Sequence, residues 1–152
     1  MPEQQKKQIG KWGEEYTLWH LKKYLAEQHP QAKAQECVDG RHGTIFSQQG
    51  QVVAEVIWLN GGGKDTGVGY DLRMQVGGVE YLIEVKTTTD ERYEWFKVSG
   101  RQWETAKTYR DRYWIVRVYN AGKETACLSV IRNPAQAWED DELGVTPVQI
   151  RI

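Results

Sequence analysis

The sequence predicts an α/β domain with a mixed sheet between helices. Three observations carry this: an amphipathic helical stretch near the start, two alternating strands joined by Gly77-Gly78, and a capped helix between that hairpin and later apolar strands. At 152 residues the chain is expected to form one domain over 1–152, with a core at about 8–120 and a sheet extension at 121–152.

Helical periodicity runs from about residue 8 to residue 28. At 100° per residue, Leu18, Leu21 and Leu25 fall within about 40° of Glu14, so a carboxylate lies in line with the leucine stripe. A carboxylate there needs a partner or a cation. Gly10, one turn before Glu14, and Gly13, directly before it, suggest close backbone approach. Residues 31–50 are polar and turn-rich and predict an irregular or hairpin insertion. The strand "VVAEVIWLN" follows and runs into the glycine-rich loop "NGGGKDTGVG".

The hairpin "GYDLRMQVGGVEYLIEVKTT" comes next, with two glycines at the turn positions where φ is positive. That register pairs Val76 with Val79, Gln75 with Glu80, Arg73 with Leu82 and Asp71 with Glu84. One face then carries Tyr70, Leu72, Met74, Tyr81, Ile83 and Val85, a core face. The other sets Asp71 opposite Glu84, with Lys86 two residues on. Directly opposed carboxylates repel unless a cation intervenes, and a divalent metal, Arg73 or Lys86 would each serve.

"WFKV" reads as a short extended piece. In "SGRQWETAKTYRDR", Ser99 and Gln102 form a capping box, and Trp103, Ala106 and Tyr109 or Arg110 mark the inner face. "YWIVRVYN" and "ACLSVI" are strands, "NPAQAWEDDEL" a short helix and "VQIRI" a last strand.

Composition narrows the function. The net charge of −1 gives no global attraction to polyanions, so any nucleic-acid contact must be a local patch. Cys37 and Cys127 fit no metal-ligand spacing and read as reduced residues of a cytoplasmic protein, with a single disulfide left open. No apolar run approaches membrane-spanning length.

The carboxylate pair suits metal-assisted phosphodiester hydrolysis. Asp71 and Glu84 are hard oxygen ligands of the kind Mg²⁺ or Mn²⁺ takes, and the Val85 carbonyl could complete the shell. Lys86 would hold or activate the attacking water, and Glu14 would reach the metal through water or hold a second ion. Lys64, in the glycine loop, could meet a phosphate. Arg101, Lys107 and Arg110 would either track a nucleic-acid backbone or form a solvated helix face. Thr87 would touch substrate or serve as a plain strand residue. The tryptophans suit a core better than base stacking, with Trp95 the one expected at the surface.

The set "GKWGEE … YD … EVKTT" resembles the PD-(D/E)xK nuclease superfamily, and more narrowly the domain family found at the C-terminus of the protein NO VEIN. The resemblance covers about residues 8–120. It rests on Gly10 to Glu14, Trp58 to Asn60, Tyr70-Asp71, Glu84 to Thr88, Phe96 to Ser99, Trp103 and Tyr113 to Asn120. It departs from the superfamily pattern at Tyr70, where proline usually precedes the aspartate.

The resemblance implies a restriction-endonuclease-like αβββαβ core, with an extra C-terminal strand, helix and strand. It also implies catalytic Asp71, Glu84 and Lys86, an accessory Glu14 and a Mg²⁺ or Mn²⁺ cofactor. The activity implied is a DNA endonuclease of a defence, restriction or DNA-processing system. DNA would be its partner, in a homodimer or a larger defence complex. The competing expectation is a catalytically silent nuclease-fold module that binds nucleic acid or a partner protein.

Overall fold

The structure, a computed structural model, describes residues 2–38, 41–61, 68–92 and 95–144. "VQIRI" and Lys64 lie outside them. The elements run α1 (Glu3–Gln28), β1 (Lys33–Glu36), β2 (His42–Gln48), β3 (Gln51–Trp58), β4 (Leu72–Val76), β5 (Val79–Thr87), α2 (Gly100–Tyr109), β6 (Tyr113–Tyr119), β7 (Cys127–Arg132) and α3 (Pro134–Glu139), with a 3₁₀ turn at Arg110–Arg112. This is a mixed α/β architecture. Its seven strands form one sheet in chain order, antiparallel throughout except for the parallel pair β5–β6. Parallel neighbours need a crossover, and α2 supplies it.

Helix α1 begins earlier than its leucine stripe suggests and stops before Pro30, which disfavours helical backbone at His29. Its buried residues Gly13, Thr17, Leu18, Leu21 and Leu25 pack on one face of the sheet with Val56, Leu72, Met74, Ile83, Val85 and Val116. A Cβ at Gly13 would overlap the Thr87 hydroxyl, so this glycine lets α1 sit directly on β5. No such contact exists at Gly10.

The opposite face is covered by α2. Ala106 packs there on Leu82, Tyr113 and Ile115, with Tyr70, Phe96, Trp103 and Tyr109 around them. β6 is therefore covered on both faces, which explains its unbroken apolar run. The helix starts at the predicted capping box: Ser99 Oγ accepts from the Gln102 N–H, and the Gln102 side chain accepts from the Ser99 N–H.

The Gly77-Gly78 turn has φ of 56° and 82°, and Val76↔Val79, Gln75↔Glu80 and Arg73↔Leu82 pair as the alternation requires. The 31–50 segment takes the hairpin alternative, with β1 antiparallel to β2 at the sheet edge beside β3. Three expectations change. "WFKV" is not a strand; Phe96 packs under α2 without pairing. Tyr70 belongs to the α2 side, since the ladder ends at Leu72↔Ile83 and strict alternation ends with it. Arg110 leaves the inner face of α2: it caps the helix with φ 52° and pairs with Glu139 on α3.

Candidate functional site

The site forms where β4 begins and β5 ends. Asp71 lies one residue before β4 and out of the ladder. Its N–H donates to the Ile83 carbonyl (2.8 Å), while its carbonyl accepts from the Leu59 N–H (3.0 Å). The expected backbone pairing with Glu84 is thus replaced by an irregular step, yet the two carboxyl groups still meet within hydrogen-bonding contact. Tyr113 helps hold the approach to Asp71, donating its hydroxyl to the Gly69 carbonyl at 2.9 Å.

A continuous polar network surrounds the pair. Asp71 Oδ2 accepts from the Val85 N–H (2.9 Å), and Oδ1 accepts from the Asn60 amide (3.1 Å). Asn60 also reaches Glu14 Oε1 at 3.5 Å, and the Trp58 indole N–H donates to that same oxygen at 3.0 Å. On the other side, Gln102 Nε2 donates to Glu84 Oε1 (2.7 Å), and Gln102 Oε1 accepts from Lys86 Nζ (2.9 Å). Lys86 Nζ stands 3.4 Å from Glu84 Oε1. The Val85 N–H faces Asp71, and in an extended strand the carbonyl of the same residue points the same way, so it too faces the site.

Glu84 is 4 % exposed, and burial pushes its carboxyl up despite the pull of Lys86. Burial first, and the Glu84 carboxylate second, push Asp71 up to about 7, against the Val85 N–H and Lys86. Two buried carboxyls in contact hold a shared proton toward neutral pH. Burial and both carboxyls also hold the Tyr113 phenol above its usual range. A cleft of about 240 Å³ opens onto Asp71 and Glu84, bordered by Val68, Tyr70, Ser99, Arg101 and Gln102.

The structure therefore brings together Asp71, Glu84, Lys86, Val85 and, through Asn60, Glu14. Arg101 borders the cleft. Thr87 does not join the group. Its side chain alternates to the other face, where it packs on Gly13 with its hydroxyl buried. Lys107 pairs with Glu104 at 2.8 Å, and Arg110 is held by Glu139 and Gln136. Trp95 is exposed, as expected.

Sequence reasoning missed three members of the network as site residues, Gln102, Asn60 and Trp58. Gln102 was visible only as a cap, a role it keeps while also clamping Glu84 and Lys86. Asn60 carried a signal in the "WLN" ending of β3, but its bridging of Glu14 and Asp71 depends on tertiary placement.

The donor chemistry suits a divalent cation. Two buried carboxyls lie together with a backbone carbonyl turned toward them, and a dication would offset both the burial and the repulsion that raise Asp71. Among the described residues, no cluster of three or more His, Cys, Asp or Glu side chains is gathered tightly enough to hold a metal by itself. Water and substrate oxygens would fill the remaining positions, as Mg²⁺ commonly allows. Among the same residues, no helix is long and apolar enough to cross a membrane.

Comparison with known proteins gives a family match over residues 13–131, to the family described as Protein NO VEIN, C-terminal. The chain is also similar to Protein NO VEIN of Arabidopsis thaliana, 33% identical over 91 residues. That match covers 59% of this chain and 3% of the plant protein. No solved structure matches.

Proposed function

The chain belongs to the Protein NO VEIN, C-terminal family, and we propose that this domain is a divalent-metal-dependent nuclease. We read α1, β3–β5, α2 and β6 as a restriction-endonuclease-like αβββαβ core of the PD-(D/E)xK kind. β1–β2 are then an insertion and β7–α3 an extension. The observation that carries the reading is the buried Asp71–Glu84 pair, which lines a cleft and has Lys86 3.4 Å from Glu84.

In this reading Asp71, Glu84 and the Val85 carbonyl would hold Mg²⁺ or Mn²⁺. When bound, the ion would lower the pKa of coordinated water and neutralise negative charge on the phosphoryl and leaving-group oxygens. Lys86, fixed by Gln102, holds the attacking water and stabilises the developing negative charge. Glu14 acts through Asn60, orienting Asp71. Arg101, on the rim of the cleft, meets a phosphate of the strand. DNA is the proposed substrate, cut internally as part of a defence, restriction or DNA-processing system.

The test is cleavage of supercoiled plasmid and of single-stranded DNA with Mg²⁺, Mn²⁺ or EDTA, beside Glu84→Gln and Lys86→Ala purified identically. Metal-dependent cutting that falls at least about a hundredfold in either variant supports the reading. Cutting within tenfold of wild type in both would overturn these assignments.

The second reading is a silent module that binds nucleic acid or a partner protein. It draws on the Gln102 amide, which already engages both Glu84 and Lys86. No cutting by the wild type, together with no Mn²⁺ binding by calorimetry, would decide for it.

A further inference from the structure

Helix α1 outruns the sheet that it packs on. Its C-terminal part lies over the starts of β5 and β6, where Leu25 and His29 border one concavity with Tyr81 and Trp114. At Gly13 the helix lies against Thr87, the last residue of β5. Residues 3–12 therefore run on for about 15 Å past the end of that strand. Residues 3–8 are all exposed. This is the end of the sheet at which Asp71, Glu84 and Lys86 meet, and Glu14 ties the helix to them through Asn60.

Two features of this overhang serve no contact within the described residues. The first is Gly10. Glycine inside a helix is less stable than alanine, and close approach by another group is a common reason to keep one. Gly13 has such a neighbour in Thr87, but a Cβ at Gly10 would meet nothing within 4 Å. The second is charge. Residues 3–11 hold three lysines against one glutamate, in a chain whose net charge is −1. Lys6 pairs with Glu3 at 3.4 Å, whereas Lys7 and Lys11 are exposed and make no ion pair among the described residues.

Both features share one side of the helix. At 100° per residue, Lys7 falls about 20° from Glu14, Gly10 about 40° and Lys11 about 60°. Farther along α1 the same side carries the buried leucines; beyond β5 it faces the space off the end of the sheet. A glycine flanked by free cations, next to the Asp71 group, fits a phosphate backbone. We propose that the overhang of α1 is one wall of a groove for duplex DNA. Lys7 and Lys11 meet backbone phosphates, and Gly10 admits the strand close to the helix. The two lysines are one turn apart, about 6 Å along the axis, and their long stems reach neighbouring phosphates of one strand. Arg101, in the first turn of α2 on the other face of the sheet, belongs to the opposite wall. The proposal rests on reading the Asp71 group as a site for DNA, and it does not require that the DNA be cut.

The experiment is fluorescence anisotropy of a labelled duplex of roughly 20 base pairs with the full chain in EDTA, from about 50 to 200 mM KCl. Wild type is compared with Lys7→Gln/Lys11→Gln, with Gly10→Leu and with Lys23→Gln/Lys33→Gln. The last pair removes the same charge from exposed positions toward the other end of the fold. Expected is wild-type binding with Kd on the order of 10 μM at the lowest salt. Lys7→Gln/Lys11→Gln should bind at least about tenfold more weakly and lower the slope of log K against log salt by about two. Gly10→Leu should melt no lower than wild type, because leucine favours a helix over glycine, yet bind at least about fivefold more weakly. The Lys23→Gln/Lys33→Gln control should keep the wild-type slope. Absence of duplex binding by folded wild type overturns the proposal. So does an unchanged slope in Lys7→Gln/Lys11→Gln, an equal loss in the control, or Gly10→Leu binding as tightly as wild type. Failure of the nuclease reading looks different: the duplex binds through α1 and stays intact when Mg²⁺ or Mn²⁺ replaces EDTA.

Discussion

Asp71→Asn is expected to stabilise the metal-free protein, and the gain should grow as pH rises toward neutrality. In the fold, burial and Glu84 hold the Asp71 proton up to about 7. In the unfolded chain the same group ionises at about 3.9. Between those values the folded state binds more protons than the unfolded state, so wild-type stability falls as pH rises through the window. The loss runs at about 1.4 kcal/mol per pH unit near pH 5, slackens to half that at pH 7, and totals close to 3 kcal/mol by about pH 8. The asparagine has no proton to lose.

Its amide does disturb one of the two contacts that Asp71 accepts, from Val85 N–H and Asn60, at a cost of about 1 kcal/mol. That cost is the same at every pH and cancels when the two proteins are compared across the range. Thermal melts of both proteins in EDTA at about pH 5, 6, 7 and 8 measure the effect. For a domain of this size about 3 kcal/mol corresponds to roughly 6–12 °C, so the Tm margin of the variant should widen by that much from the lowest pH to the highest. A margin that stays flat, or a variant that becomes relatively less stable as pH rises, would refute the reasoning. Asp71 would then be an ordinary salt-bridge partner of Lys86. Added Mg²⁺ should raise the wild-type Tm above neutral pH and leave the variant nearly unmoved.

Other outcomes follow from particular contacts. Gly13→Ala should cost about 2–4 kcal/mol in urea unfolding, because the new Cβ overlaps Thr87 and lifts α1 from β5; a loss under about 0.5 kcal/mol would mean that the helix yields freely. Ser99→Ala should cost about 1 kcal/mol by removing the cap of α2. Gln102→Ala should cost more than Ser99→Ala in the same assay, since it also frees Glu84 and Lys86; equal losses would show that the clamp contributes nothing to stability. In DNA binding, Arg101→Ala should lower affinity and reduce the salt slope by about one, whereas Arg110→Ala should change neither, because Glu139 and Gln136 already hold that guanidinium.

The sequence alone determined what local rules determine. Period-two alternation and the positive-φ glycine turn set the register of β4 and β5 as far as Arg73↔Leu82. The leucine stripe oriented α1, and the Ser99–Gln102 box started α2. Asp71, Glu84 and Lys86 were legible as one group because side chains two residues apart on a strand share a face, and a hairpin brings its partner strand alongside.

Tertiary structure decided what those rules do not reach. Asp71 leaves the ladder because its N–H and carbonyl are claimed by different neighbours, Ile83 and Leu59. Alternation alone turns Thr87 away from Lys86, but that α1 covers that face at Gly13 is a matter of packing. Arg110 is held by α3, a helix that begins 24 residues later, and no periodicity within α2 carries that information. Gln102 and Asn60 join the network because the sheet and two helices converge there. Such side-chain bridges span 11 to 46 residues of sequence, and only the packing of distant elements can form them.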